Sequence, residues 1–418
     1  MAQMERGAYV RMLSAAYAAM FLIRVAFGIT VVTFAAYVSP ENDLIYSLVV
    51  AASPFTELVT VVFAGVLIDR YGRKGILIAG LALGAISLYG LALTTEPLFL
   101  TLINALHGVA AAFILVTTLA IIATYAPAQR RGREMGLFNL ANLFGWIAGF
   151  VLGSLLSDLF RGRLEYTFVI AGALATLGLL YANRMLVLPE ESPGEDARKP
   201  TNVRDLVKAV GNKDVLLLTL PWLIVFTLIG ALVAFFPRVA QSLEISGART
   251  SLAILVVGVL LLGSQLFWGR LADRYGREAI MLVGGLGFAA LMGVIMLGFF
   301  ETASEDPRVI FANVMSHWFL MIFCLAFALA FAPAGLAAIA DEAKEGAEGT
   351  TMSAYSLTLS AGFILGPPVL GAISRDFGGT GMVLFFAALA AALLGMVLTR
   401  FIQTRVARRA QPEAGRVG

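Results

Sequence analysis

Cysteine occurs once in this chain, at Cys324, so no internal disulfide can form. Histidine occurs twice, at His107 and His317, with no cysteine or carboxylate near either in sequence, and two such residues are too sparse for a metal site. Charge is scarce: Asp, Glu, Lys and Arg make up 14% of the chain, against about 25% in a soluble domain. The net charge of +3 is small, and no basic patch with interleaved aromatics marks a nucleic-acid surface. There is no G-x-x-x-x-G-K-[ST] phosphate loop and no dinucleotide loop, so ATP-driven work by this chain is not expected. No Ser/His/Asp set can be assembled from the sequence. The chain therefore reads as neither an enzyme nor a cofactor binder.

What it has in excess is apolar length. Hydrophobic residues are 59% of the chain, gathered in runs close to the ~20 residues a spanning helix needs. Twelve runs stand out, at 12–38, 44–68, 75–95, 97–125, 136–157, 166–188, 215–236, 250–268, 279–300, 309–340, 350–373 and 381–402. The first is too long for the apolar core of a signal peptide and reads as a retained helix. With the N-terminus inside, the cytoplasmic segments hold 23 of the 30 Lys and Arg. The external loops hold six: Arg161, Arg163, Arg238, Arg249, Arg308 and Arg375. This bias places both termini in the cytoplasm of a multi-pass cell-membrane protein.

The chain repeats itself. Gly65-Val-Leu-Ile-Asp69-Arg70-Tyr71-Gly72-Arg73-Lys74 returns as Gly269-Arg-Leu-Ala-Asp273-Arg274-Tyr275-Gly276-Arg277-Glu278, 204 residues later. Each copy closes one apolar run and opens the next. Pro97 and Pro307 each begin a run, with His107 and His317 ten residues on. A looser match pairs Gly132–Gly149 with Gly349–Gly366, aligning Gly145 with Gly362. Internal duplication in so apolar a chain is how many secondary transporters are built. The expected layout is a six-helix bundle over 1–188, a cytoplasmic linker over 189–214, a second bundle over 215–402 and a tail over 403–418. Within the linker, Val203, Leu206, Val207 and Val210 fall on one helical face, either as an interfacial helix or as a solvated linker with some helix.

The two hairpins resemble the signature loop of the major facilitator superfamily, G-x-L-a-D-R-x-G-R-R. Both copies match at Gly, Asp, Arg, Gly and Arg. The resemblance implies an all-α integral membrane protein with twelve transmembrane helices in two pseudo-symmetric six-helix bundles. It also implies a substrate cavity between them, exposed to each side in turn. Gly65, Asp69, Arg70, Gly72, Arg73, Gly269, Asp273, Arg274, Gly276 and Arg277 are then the candidate gating loops. Asp69 would face the N-terminus of span 11 and Asp273 that of span 5, where a carboxylate meets the positive end of a helix dipole. The alternative is that these are turn and topology residues only. The fingerprint of the family's drug/proton exporters is incomplete here. Asn104 stands four residues before Gly108, where those exporters carry Arg. Gly145, Gly149 and Gly153 recur every fourth residue in span 5, but Phe150 follows Gly149 in place of Pro. The glycines themselves read as close helix packing.

Only two charged residues fall deep within the runs, Arg24 in span 1 and Glu57 in span 2. Glu57 precedes Asp69 by twelve residues, or about 18 Å along a helix. A charge near the bilayer midplane costs at least about 2.5–3.5 kcal/mol on insertion scales, so each is expected to face a partner or a wet cavity. The simplest arrangement is that they face each other. Burial favours the neutral form of a carboxylate and a guanidinium favours the charged form, which suits proton exchange at Glu57. A permanent structural ion pair is the other reading. The matching positions of the second half, Phe226 and Leu261, are apolar. His107 and His317 are further candidates, as relay or packing residues, with Asn104, Asn139, Asn142, Asn313 and Tyr355 as lesser candidates for lining a cavity.

The expected function is secondary active transport by alternating access: proton-coupled export of a small amphipathic or hydrophobic molecule, by an antiporter. Uptake of a polar or anionic metabolite, with Arg24 as anchor, and transport of a lipid-like substrate are the alternatives. A non-transporting membrane sensor is the competing class. The expected partners are a small-molecule substrate and the lipid bilayer, with the proton as coupling ion and the chain as a monomer.

Overall fold

The structure, a computed structural model, describes residues 6–38, 43–125, 131–188, 213–302, 304, 306–342 and 348–410. No strand occurs among the described residues. The helices are α1 (Arg6–Tyr37), α2 (Asp43–Tyr71), α3 (Arg73–Leu91), α4 (Pro97–Tyr125), α5 (Arg131–Leu159), α6 (Glu165–Met185), α7 (Lys213–Ser242), α8 (Gly247–Tyr275), α9 (Arg277–Phe300), α10 (Pro307–Ser316), α11 (Trp318–Ala328), α12 (Phe331–Glu342) and α13 (Glu348–Ala410). The segment expected to form an interfacial helix, 201–210, lies outside the described residues.

Among the described residues, eleven apolar helical stretches are long enough to cross a membrane. The last, Leu357–Val406, has 50 residues, about 75 Å of helix against a hydrocarbon core of about 30 Å. It cannot be one crossing. The backbone breaks inside it at Gly378, with φ 60 and ψ −153, so it serves as two. The molecule is an all-α, multi-pass membrane protein.

The tenth run is not the single helix expected over 309–340. Asp306 caps its start by accepting from the Arg308 N–H at 2.9 Å, with Pro307 in the first turn. The helix then interrupts at His317 (φ −92, ψ 15). There the imidazole Nδ1 lies 3.1 Å from the Asn313 carbonyl, a side chain competing for a backbone acceptor. A second break falls at Leu329 and Ala330. Pro333 explains it: a proline has no N–H for the carbonyl four residues back, and its ring crowds that carbonyl.

The two signature hairpins turn in the same way. Gly72 has φ 78 and ψ 152, and Gly276 has φ 95 and ψ 145. This region of backbone space is nearly closed to any residue with a Cβ. The repeated glycine is thus a geometric requirement for linking two spans with a single residue.

Chain packing divides into two units. The first comprises residues 1–203, 230–255 and 363–371, so three pieces of chain from both sequence halves pack as one body. Here α1 is central, packed on α5 and α6, while α2 packs on α4 and α3 on α4 and α6. The α1–α5 crossing is tight: a Cβ added at Gly149 would lie 2.4 Å from the Val25 carbonyl oxygen and 2.8 Å from Gly28 Cα. In the second unit, residues 204–229, 256–362 and 372–418, α9 packs against α10, α11 and α12. Large apolar side chains such as Leu98, Phe99, Leu252 and Phe323 are exposed on the helices, as lipid-facing surfaces require.

Candidate functional site

Three helices of the first unit bring polar groups together in the middle of an otherwise apolar bundle. From α1, Arg24 Nη2 donates to Glu57 Oε1 of α2 at 2.9 Å. Arg24 Nε donates to Asn142 Oδ1 of α5, also at 2.9 Å. The side chains of Arg24 and Glu57 are 8% and 16% exposed. The arginine fork is thus shared: Nη2 serves an acid and Nε a neutral amide. Trp146, one turn beyond Asn142 on α5, lies beneath the guanidinium at 5.9 Å, within reach of a cation–π attraction. The tight α1–α5 crossing sets this register, because Gly145 meets Arg24 Cβ and the Phe21 carbonyl where any side chain would collide.

An aromatic chain extends from this centre. Phe27 meets Trp146 edge-on at 4.5 Å and stacks on His107 at 5.7 Å. Trp146 also contacts Phe150 and Phe363. His107, from α4, is fully buried. Its Nδ1 lies 3.3 Å from Ser87 Oγ of α3, and its Nε2 has no partner among the described residues. The set can hold one positive and one negative charge and offer aromatic faces to an apolar or cationic guest.

Not every sequence candidate joins this set. Asn104 is buried between helices, its amide donating to the Val49 carbonyl at 2.8 Å, so it straps α4 to α2. Asn139 is exposed on α5. In the second unit, Asn313 straps α10 to α9 through the Gly298 carbonyl at 2.8 Å. His317 sits at the α10–α11 break, with Nε2 3.7 Å from Glu301. The side chains of Tyr355 and Asp69 lie outside the described ones.

In the hairpins, Arg70 lies over Tyr71 and Arg274 over Tyr275, each at 5.4 Å. Arg73 lies over Tyr125 at 5.7 Å. Asp273 is 69% exposed and pairs with Arg277, four residues on in its own loop. Gly65 has open space where a Cβ would stand, and Gly269 meets only Pro333 at 4.0 Å.

Two charged residues sit where sequence reading did not look. Glu134, only 6% exposed, accepts from the Tyr17 hydroxyl at 2.7 Å. Glu134 is thus more deeply buried than the half-buried Glu57. Arg238, assigned to an external loop, is 8% exposed within α7 and bound to Asp43 at 2.6 Å. Both lie just past the ends of apolar runs, where the helix continues although the hydropathy falls. The signal was helix length: α5 begins five residues before its apolar run and α7 ends six residues after its own.

The comparisons with known proteins agree with this architecture. The family model described as Major Facilitator Superfamily matches residues 13–304 and 223–417. The chain is 33% identical over 146 residues to multidrug resistance protein 1 of Bacillus subtilis (strain 168), covering 34% of this chain and 36% of that protein. It is 27% identical over 229 residues to the multi-drug resistance efflux pump PmrA homolog of Lactococcus lactis, covering 53% and 54%. The matches thus span from about a third to about half the length of these relatives. Among solved structures, a D-xylose-proton symporter superposes with a TM-score of 0.71 at 16% identity, over 93% of this chain and 97% of that one.

Proposed function

This chain belongs to the Major Facilitator Superfamily and is a membrane transporter rather than an enzyme, and from that premise we propose that it works by proton-coupled alternating access centred on Arg24 and Glu57. The observation that carries the reading is the 2.9 Å ion pair in the interior of the first unit, with Asn142 on the Nε of the same guanidinium. A pair needed only for stability gains little here, because well-packed apolar residues are often as stable as a buried ion pair.

Protonation of Glu57 removes its charge and weakens its hold on Arg24. The guanidinium then rests on Asn142 and Trp146, or binds an anionic group. Deprotonation re-forms the pair and expels whatever had taken its place. Such an exchange couples one proton to one change of occupancy, because the two guests compete for the same acid or the same cation. Both termini lie in the cytoplasm and the chain acts as a monomer in the cell membrane.

Export of an amphipathic or hydrophobic molecule is the reading favoured by the site, since Trp146 lies against the Arg24 guanidinium and Phe27, Phe150 and Phe363 gather around that indole. The names of the drug-efflux relatives support the same direction. The test is flux through purified protein in liposomes with an imposed pH gradient, using ethidium, a nucleoside and a sugar as probes. Ethidium should be concentrated against its gradient and the other two should not. Accumulation of the sugar or nucleoside alone would replace export of amphipathic molecules with uptake of polar ones.

A further inference from the structure

At the end of the first unit where α1 finishes and α2 begins, residues from distant parts of the chain are locked together. Arg238 Nε of α7 donates to Asp43 Oδ1 in the first turn of α2 at 2.6 Å. The same guanidinium lies 4.5 Å above the ring of Tyr46. Tyr46 is fully buried and its hydroxyl donates to the Ala234 carbonyl, one turn before Arg238. One arginine is thus held at its edge by an acid and on its face by a ring, and the ring is tied back to the arginine's own helix.

Two further contacts close the same end. The Gly247 N–H, at the start of α8, donates to Asp158 Oδ2 near the end of α5. One turn later, Ser251 Oγ donates to the Val151 carbonyl at 3.0 Å. A carboxylate at a helix N-terminus meets both free N–H groups and the positive end of the dipole. This is the interaction expected of the signature hairpins at the opposite end of the spans.

We infer that Asp43, Arg238 and Tyr46 form an outer latch, seconded by Asp158 on the start of α8, which must release once in every transport cycle. An alternating-access carrier has to hold its outer face shut in one state and open it in the other. Contacts that bridge residues 43–46 and 158 to 234–251 lie where such a face would part. Their chemistry suits release: a charge pair and a cap are broken by rehydration at a membrane surface, whereas interdigitated apolar side chains are not. The inference rests on alternating access, but not on Glu57, proton coupling or any substrate.

Pairs of spin labels at Leu48→Cys and Val239→Cys, in a Cys324→Ala background, report the separation of α2 and α7 at this end. Both label sites are exposed, and the readout needs no substrate. Wild type should give one dominant short distance. Asp43→Asn and Arg238→Gln should each raise the ratio of long to short populations by about tenfold, since each removes the charge pair that ties α2 to α7. Tyr46→Phe, which keeps the ring and loses the bond to Ala234, should give a smaller rise. Folded variants that keep the wild-type distances would overturn the latch. If Arg238→Gln fails to fold, Arg238→Lys and Asp43→Asn decide: unchanged distances in both reject the inference, and a rise in both supports it. Failure of ethidium transport with an intact distance response would reject the proposed function and leave the latch standing.

Discussion

Arg24 and Asn142 are joined at 2.9 Å across the close α1–α5 crossing, and the same guanidinium reaches Glu57 over the same distance through Nη2. The amide holds the guanidinium in place whether or not the acid is charged. In the proposed cycle, a proton at Glu57 would change which partner dominates without leaving the arginine unbound.

Removing Arg24 should be costly. Arg24→Ala leaves a buried carboxylate without its cation, and breaking such a pair costs about 3–5 kcal/mol. The melting temperature in detergent should fall accordingly. Replacing both residues, as Arg24→Leu with Glu57→Leu, should recover much of the stability without restoring coupled transport. An Arg24→Ala protein as stable as wild type would show that the pair contributes nothing to the fold.

The α1–α5 crossing makes a second, purely steric prediction. Gly149→Ala places a Cβ 2.4 Å from the Val25 carbonyl oxygen, and overpacking of this kind costs about 1–3 kcal/mol. Gly263→Ala, with nothing within 4 Å of the new Cβ, is the control and should be tolerated. Equal thermal stabilities for the two variants would mean that the helices separate freely at this point.

The hairpin glycines can be tested by the same measurement. Gly72→Ala and Gly276→Ala should each lower stability by about 1–3 kcal/mol, because their positive φ excludes a side chain. Gly75→Ala, on the helix just beyond, meets open space and should gain up to about 1 kcal/mol from helix propensity. Tolerance of alanine at both turns would remove the geometric reason for the repeat.

Much of this fold was legible in the sequence because bilayer crossing imposes length and apolarity on each segment separately. The hairpin repeat was legible because a one-residue link between spans demands glycine in each copy. The internal breaks of the tenth span were not, since Pro333 acts on the carbonyl four residues before it, inside a run that is apolar throughout. Arg238 and Glu134 were missed for a related reason. Hydropathy marks where a segment stops resembling lipid, while the helix and its packing continue for another turn or more. The site was legible in part: the scarcity of charge singled out Arg24 and Glu57. The choice of Asn142 over Asn104 or Asn139 as the third member depends on how each helix is rotated, and one chain's composition does not record that.

The most direct measurement is proton movement accompanying substrate movement, read with a pH-sensitive dye inside proteoliposomes challenged with ethidium. Wild type should move protons against ethidium. Glu57→Gln should exchange or leak ethidium downhill with no dye response and no accumulation in a pH gradient. If Glu57→Gln moved protons and concentrated ethidium as wild type does, proton coupling would not pass through Glu57, and the central claim would fail.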